Sequence, residues 1–326
     1  MKCSVITGEE FSRHNLPSHL ENQRRLQAVL SVVPATLRRF PPRRASEEEA
    51  GRIHDREYLA WIERSCREIR TFRMIDPDTY LTPHSYGVAL YAAGAAIAAA
   101  ERCRDGEHCA ALVRPPGHHA ERSFAMGFCI LNNVAIAAAA TLREVDRVAI
   151  VDWDLHHGNG TQHAFYTSDR VLYCSVHDRA AFPGTGHWSE TGEGVGEGYT
   201  INAPLEGGST LSDYELVFSE VFSPALLRFQ PDLCLVSAGQ DALYDDPLSS
   251  MNLVPEDYAH LTSILLDAVE GPLALILEGG YGPSHGRAMG EIFRVLQGHQ
   301  PSVGEGCPRE STCQTVDSLK RHLRLP

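Results

Sequence analysis

The densest chemistry in the chain is the run VDWDLHHGNGTQ, residues Val151–Gln162. On an extended strand Asp152, Asp154 and His156 share one face, because side chains alternate with period two. A carboxylate and an imidazole two residues apart can both reach one cation. Charges this dense at the end of an apolar run are costly unless paired or metal-bound. A catalytic metal site needs a third protein ligand and an open position, and Asp241 in VSAGQDAL, just past the apolar run Leu233–Val236, is the candidate. An oxygen-rich Asp–His–Asp set suits Zn²⁺, with Fe²⁺ or Co²⁺ as alternatives. His118 and His119 follow a rigid Pro-Pro-Gly turn in RPPGHHAERSFAMGFC. They would serve as metal ligands or as tandem proton-transfer groups, against the plainer reading of a surface pair. Tyr281, in LEGGYG, has two glycines before it that permit close backbone approach and a projecting phenol, although a structural tyrosine is the simpler reading of that fragment alone.

These groups need elements to position them. Short apolar runs at Cys109–Val113, Val148–Val151, Val171–Val176, Leu233–Val236 and Leu273–Leu277 read as strands. Longer helical patterns near Ser85–Arg102, Leu131–Leu142, Asp213–Arg228, Pro255–Val269 and His285–Leu296 alternate with them. Strands that are apolar throughout, alternating with helices, predict an α/β fold with a parallel sheet covered on both faces. In such sheets chemistry gathers at the carboxyl ends of the strands. Pro115–His119, Asp152–His157, Ser175–His177, Asp241 and Glu278–Tyr281 all fall at such ends. The stretch Gly192–Gly198 precedes the strand-like YTIN rather than opening a helix, so it reads as a loop and not as a dinucleotide motif. One domain over residues 1–298 is expected, followed by a polar, turn-rich tail, 299–326, with a short amphipathic piece at Val316–Leu325.

Composition excludes several classes. The 326 residues include 29 Lys plus Arg, of which only Lys2 and Lys320 are lysine. A P-loop or a Schiff-base site needs an internal lysine. The net charge of −13 argues against a nucleic-acid footprint, which needs clustered positive charge. Nine scattered cysteines without a C-x-x-C pair suit free thiols in a reducing compartment. No secretory leader or membrane span is apparent, since the apolar stretch Val88–Ala100 is too short to cross a bilayer. A cytoplasmic protein is expected, with its oligomeric state left open.

The motifs RPPGHHA, GFCILNN, VDWDLHHGNGTQ, FPGTG, SAGQDA, DPL and LEGGY, in that order, resemble the zinc-dependent histone deacetylase and acetylpolyamine amidohydrolase family. The resemblance covers about residues 11–297, with HLENQRRL and HDREYL near the start also fitting, and lies nearest the class II branch and its bacterial relatives. It implies a single arginase-like α/β domain with a central, mainly parallel eight-stranded sheet flanked by helices. It also implies roles. Asp154, His156 and Asp241 would hold zinc; His119 would be the general base and His118 the second histidine, oriented by Asp152, with Asn159 as the partner of His119. Tyr281 would stabilise the transition state, Phe128 and Phe182 would wall an acyl-lysine tunnel floored by Gly127, and Asp78 would be a rim acid. Structural K⁺ sites would fall on Asp152, Asp154, His156, Ser175 and Val176, and on Phe165, Ser168, Val171 and Tyr199.

The implied activity is metal-dependent amide hydrolysis. The gatekeeper-like Leu248 is neutral and the first loop, Glu9–Glu21, is short. Both favour a broad entrance and an acylated lysine on a peptide or protein. Glu9, Glu10, Asp76, Asp78, Asp245 and Asp246 lie on segments that would ring the mouth, so an acetylated polyamine or another small amide is the alternative. A non-catalytic acyl-lysine-binding module would be expected to lack the tyrosine or part of the Asp–His–Asp set, and neither is missing. Gln240 departs from the family's apolar or aromatic residue and is expected on the pocket wall.

Overall fold

The computed structural model describes residues 2–302 and 306–325. Among the described residues ten strands form: β1 (Lys2–Ile6), β2 (Arg38–Phe40), β3 (Arg73–Met74), β4 (Tyr80–Leu81), β5 (Glu107–Ala111), β6 (Val148–Asp152), β7 (Val171–Asp178), β8 (Thr200–Leu205), β9 (Leu233–Ala238) and β10 (Leu273–Leu277). Eight of them make one sheet in the order β2-β1-β5-β10-β9-β6-β7-β8, and every neighbouring pair is parallel. All residues of β5, β6, β7, β9 and β10 are buried, because helices cover both faces. That two-sided burial is why these strands read as unbroken apolar runs rather than alternating ones. The five expected strands and five expected helical segments are all present. The edge strand β2, with sequence RRF and largely exposed, carries no such signal, and neither does the two-residue hairpin β3–β4.

Two helices next to the sheet centre are almost featureless in pattern. Ser85–Arg104 and Asn133–Thr141 are alanine-rich and buried nearly all round, so they pack closely against each other and the sheet. The second begins where the Asn132 side chain accepts from the Ala135 N–H at 3.0 Å, a side-chain cap. The single helical pattern at Asp213–Arg228 is divided: Leu211–Val217, a π turn at Phe218–Phe222, then Ser223–Phe229. Pro224 has no N–H to donate to a regular helix, and the wide turn accommodates it. Gly192–Gly198 is a loop with one short 3₁₀ turn.

The segment after residue 298 carries a helix, Glu310–Leu323, longer than the amphipathic piece read from sequence. Thr312, Val316, Leu319 and Leu323 are its buried face, packed toward β8 and Leu211–Val217. Thr312 Oγ1 donates to Asp213 Oδ1 at 2.6 Å, and Arg228 Nη1 donates to the Leu323 carbonyl at 2.8 Å.

A buried ion pair ties the amino-terminal segment to the sheet. Arg114, fully buried just past β5, donates from Nε and Nη2 to Glu21 at 2.8 and 2.5 Å, and from Nη1 to the Phe11 carbonyl at 2.8 Å. Burial alone would raise the Glu21 pKa, but Arg114 and His14 outweigh it and hold the carboxyl below its ordinary range. Removing one partner strands the other charge in the interior, at a cost of about 3–5 kcal/mol. Glu21→Gln should therefore lose roughly that much stability at pH 7 in urea denaturation. A depressed folded-state pKa stabilises fully above the unfolded value and is lost as pH falls toward the folded one. The difference between wild type and variant should shrink below about pH 4; a difference independent of pH would contradict the pairing.

Candidate active site

Four adjacent central strands deliver the polar groups to one point at their carboxyl edge. β6 ends at Asp152 and leads to Asp154 and His156; β9 leads to Asp241; β10 leads to Glu278 and Tyr281; β5 leads to His118 and His119. The ligand atoms of Asp154, His156 and Asp241 all lie within 4.8 Å of one another. His156 Nδ1 stands 3.2 Å from Asp154 Oδ1 and 3.0 Å from Asp241 Oδ2, so the imidazole and both carboxylates face a common point. Burial and the Asp154 charge push the Asp241 carboxyl up to about 7. Burial opposes a charge on His156, but its contacts with Asp154 and Asp241 win and carry it up to about 10. Two buried carboxylates competing for one imidazole fit a divalent cation, which would neutralise both.

The backbone is shaped around these carboxylates. A Cβ on Gly239 would lie 2.0 Å from Asp154 Oδ2, and one on Gly279 would lie 2.2 Å from Asp241 Oδ2 and 2.6 Å from Asp154 Oδ2. The Gly279 N–H donates to Asp154 Oδ2 at 2.8 Å, and the Leu155 N–H to Asp241 Oδ1 at 2.8 Å. Among the described residues one further group converges this closely, His118–Cys129–Glu278. Its carboxylate is committed to the backbone, accepting from the N–H groups of Gly117 at 2.6 Å and His118 at 3.2 Å.

The two histidines sit side by side, rings 4.0 Å apart, in opposite electrostatic surroundings. His118 Nδ1 is 3.1 Å from Asp152 Oδ2, and its Nε2 is 3.7 Å from Asp154 Oδ1. Burial opposes its charge, but Asp154 and Asp152 outweigh burial and hold it well above the usual imidazole range. His119 has a neutral partner instead, its Nδ1 lying 2.7 Å from Asn159 Oδ1. Burial, then the cationic character of His118 and His156, drives its pKa well below the ordinary value. The two rings are thus biased in opposite directions, His118 toward the charged form and His119 toward the neutral one.

Asp78, Gly127, Phe128, Phe182, Leu248 and Tyr281 line a cavity of about 140 Å³ that reaches His118, His119 and the Asp–His–Asp group. Gly127 adopts φ +55°, and a Cβ there would lie 2.5 Å from His119 Cδ2. Phe128 also has positive φ, +67°; its N–H donates to Thr79 Oγ1 at 3.0 Å, and its ring meets Tyr281 edge-on at 5.5 Å. Phe182 stands edge-on to His119 at 5.1 Å. The Tyr281 pKa is raised well above normal by burial, so the phenol keeps its proton. Arg25 lies 5.0 Å over its ring and donates from Nε to the Gly280 carbonyl at 2.9 Å.

Several expectations change on this map. Of the six acids read as ringing the mouth, only Asp78 lines the cavity. Asp246 is buried and accepts the N–H groups of Tyr281 at 2.6 Å, Gly282 at 2.8 Å and Leu248 at 3.0 Å. Asp245 accepts from Ser284, Asp76 from the N–H groups of Asp78 and Thr79, and Glu9 borders a separate hollow. Asp76, Asp245 and Asp246 thus cap backbone, while Glu9 is exposed away from the cavity. Gln240 is fully buried, donates from Nε2 to the Ala238 carbonyl at 2.6 Å, and is not on the cavity wall. Asp152 pairs with Ser175 across β6 and β7, while Phe165, Ser168, Val171 and Tyr199 cluster at the opposite end of β7. Sequence reasoning did not single out Arg25, Glu278 or Glu121, the last of which accepts from Asn159 Nδ2 at 2.6 Å. The two glutamates stand inside quoted motifs: Glu278 three residues before Tyr281 in LEGGY, and Glu121 two residues after His119 in RPPGHHAERSFAMGFC.

Residues 19–296 match the family model described as histone deacetylase domain. A probable deacetylase of Archaeoglobus fulgidus is 37% identical over 296 residues, covering 86% of this chain and 82% of its own. Polyamine deacetylase HDAC10 of Danio rerio is 36% identical over 344 residues, 97% of this chain and 51% of that protein. The crystal structure of the HDA15 HD domain superposes with a TM-score of 0.92 at 33% identity, over 99% of this chain and 94% of that one. Because Gly279 touches both carboxylates, Gly279→Ala should displace them. Elemental analysis should find less bound divalent metal, and turnover should fall about 10–100-fold, as for other residues that support metal ligands; full metal content with full turnover would refute the contact's importance. By its sequence, its sheet order and this site, the chain belongs to the histone deacetylase family, hydrolases that remove acetyl groups from amides.

Proposed function

We propose that the protein hydrolyses the acyl group, acetyl in the simplest case, from lysine side chains of peptides or proteins. The observation that carries this reading is the mouth: a narrow cavity with aromatic walls at Phe128 and Phe182, a neutral Leu248 and one acid, Asp78. An aliphatic acyl-lysine stem suits apolar walls, and a single rim carboxylate suits a substrate backbone N–H. A polyamine carries further cations beyond its acylated nitrogen and would call for more negative charge than this mouth presents. The alternative, an acetylated polyamine, is favoured by the Danio rerio relative named a polyamine deacetylase.

In this reading Asp154, His156 and Asp241 hold Zn²⁺, with Fe²⁺ or Co²⁺ as the alternatives for an oxygen-rich set. The bound ion supplies Lewis-acid polarisation of the amide carbonyl and acidification of water. His119, neutral and steadied by Asn159, takes the proton of the attacking water. Tyr281, kept protonated, donates to the oxygen on which negative charge develops. As the C–N bond breaks, the His118–His119 pair returns a proton to the departing amine, leaving a carboxylate and a free lysine. Asp152 orients His118 and preserves its charge. Structural K⁺ is assigned to Asp152, Asp154, His156, Ser175 and Val176, and to Phe165, Ser168, Val171 and Tyr199. Residues 1–298 form the catalytic domain, with 299–326 as a tail. No described helix is long and apolar enough to cross a membrane, and the nine cysteines are all free. Free thiols support a cytoplasmic location.

Two measurements test this. Turnover of a fluorogenic acetyl-lysine substrate should vanish with chelator and return with Zn²⁺; metal-independent turnover, or turnover of acetylputrescine alone, would overturn it. Tyr281→Phe should lower kcat by about 10²–10³ with little change in KM, the loss expected for one oxyanion donor. Unchanged kcat would remove Tyr281 from the chemistry.

A further inference from the structure

A second, larger hollow of about 600 Å³ opens at the carboxyl ends of β7 and β8, the edge of the sheet that also carries the catalytic cavity. One wall is the loop that follows β7, including Arg179, Thr185 and Trp188; the other is the helix Glu310–Leu323, with Gln314, Thr315 and Ser318. That helix lies beyond residues 19–296, the part matched by the family model.

The groove is joined to the catalytic cavity through a shared loop. The same loop builds both: Phe182 walls the cavity, and Ala180 and Gly184, two residues to either side, line the groove. Gly184 has φ +77°, and a Cβ there would meet nothing within 4 Å, so this shared loop presents bare backbone at that point. The groove's charges are also internally matched. Arg179 pairs with Glu206 at 2.6 Å, and Glu190 accepts from Gln162 Nε2 at 2.6 Å. The rest of the lining is largely hydroxyl, amide, glycine backbone, His187 and the Trp188 indole beside the solvent-exposed Arg179–Glu206 pair, a surface of balanced charge suited to a main chain. The loop is braced on the helix side, where the Trp188 ring meets His322 edge-on at 6.4 Å.

We propose that this groove receives the extended main chain flanking the acyl-lysine of a peptide or protein substrate. The cavity of about 140 Å³ has room for one side chain, so anything longer must leave it over its rim, where the loop that carries Phe182 also lines the groove. The helix Glu310–Leu323 then acts as a specificity element, favouring polymeric over small amide substrates. This inference rests on the acyl-lysine reading above.

The test uses the full chain and acetyl-lysine peptides lengthened one residue at a time on each flank. kcat/KM should rise about tenfold as one flank fills the groove, a gain of about 1.4 kcal/mol. It should stay nearly flat on the other flank. Thr315→Trp, which fills the groove, should cancel the gain, so the ratio of kcat/KM for the long peptide to that for a single-residue acetyl-lysine amide falls about tenfold. A flat length series on both flanks in the unmodified protein, with the single-residue amide turned over, would overturn the groove alone. An unchanged ratio in both Thr315→Trp and Gln314→Trp would do the same. No turnover of any acyl-lysine, alongside turnover of acetylputrescine, would overturn the reading beneath it.

Discussion

Two carboxylates buried within reach of one imidazole are the constraint around which the rest of the molecule is arranged. Asp154 and Asp241 are both essentially inaccessible to solvent, and each repels the other. Such a pair is sustained only by backbone N–H groups, a neighbouring imidazole and a cation. The parallel sheet supplies the first of these, because the chain leaving a strand's carboxyl end presents free N–H groups at that edge. Gly279 and Leu155 donate there, and Gly239 and Gly279 lack the side chains that would collide with the carboxylates. The glycines of SAGQD and LEGGY are therefore parts of the site as much as the ligands are.

The same charges divide labour between His118 and His119. Both rings are deeply buried, and burial by itself would discharge both. Asp152 and Asp154 favour the charged form of His118, and positive charge there in turn favours the neutral form of His119. The distinction lies in the second partners, a carboxylate for one and an amide for the other. One adjacent pair of identical side chains is thereby pushed toward opposite protonation states by its surroundings.

Much of this was legible in the sequence, and the reasons are physical. Strands buried on both faces must be apolar throughout, so β5, β6, β7, β9 and β10 announce themselves, and polar residues at their ends are conspicuous against that background. Asp152, Asp154 and His156 are readable because period-two geometry is local. Residues whose role arises from contacts distant in sequence are not. Arg25 reaches Gly280 across 255 positions, and Arg114 reaches Glu21 across 93. An acid on a loop looks the same in sequence whether it faces substrate or caps backbone, which is why Asp245 and Asp246 read as rim charges. Gln240 likewise gives no local sign that it turns toward the Ala238 carbonyl.

Asp246 uses one carboxylate to hold two things at once. Oδ1 takes the N–H of Leu248 at the rim, and Oδ2 takes the N–H groups of Tyr281 and Gly282 at the chemistry. The Leu248 side of the cavity and the Tyr281 side are thereby fastened to a common anchor, which separates two routes of evolutionary change. Exchange of the side chain at position 248 alters the cavity lining and leaves the anchor alone, because the anchored group is the backbone N–H. Insertion or deletion within the turn would loosen the tyrosine's own support. Diversification of this entrance should therefore proceed by replacing what hangs from the backbone rather than by redrawing its path.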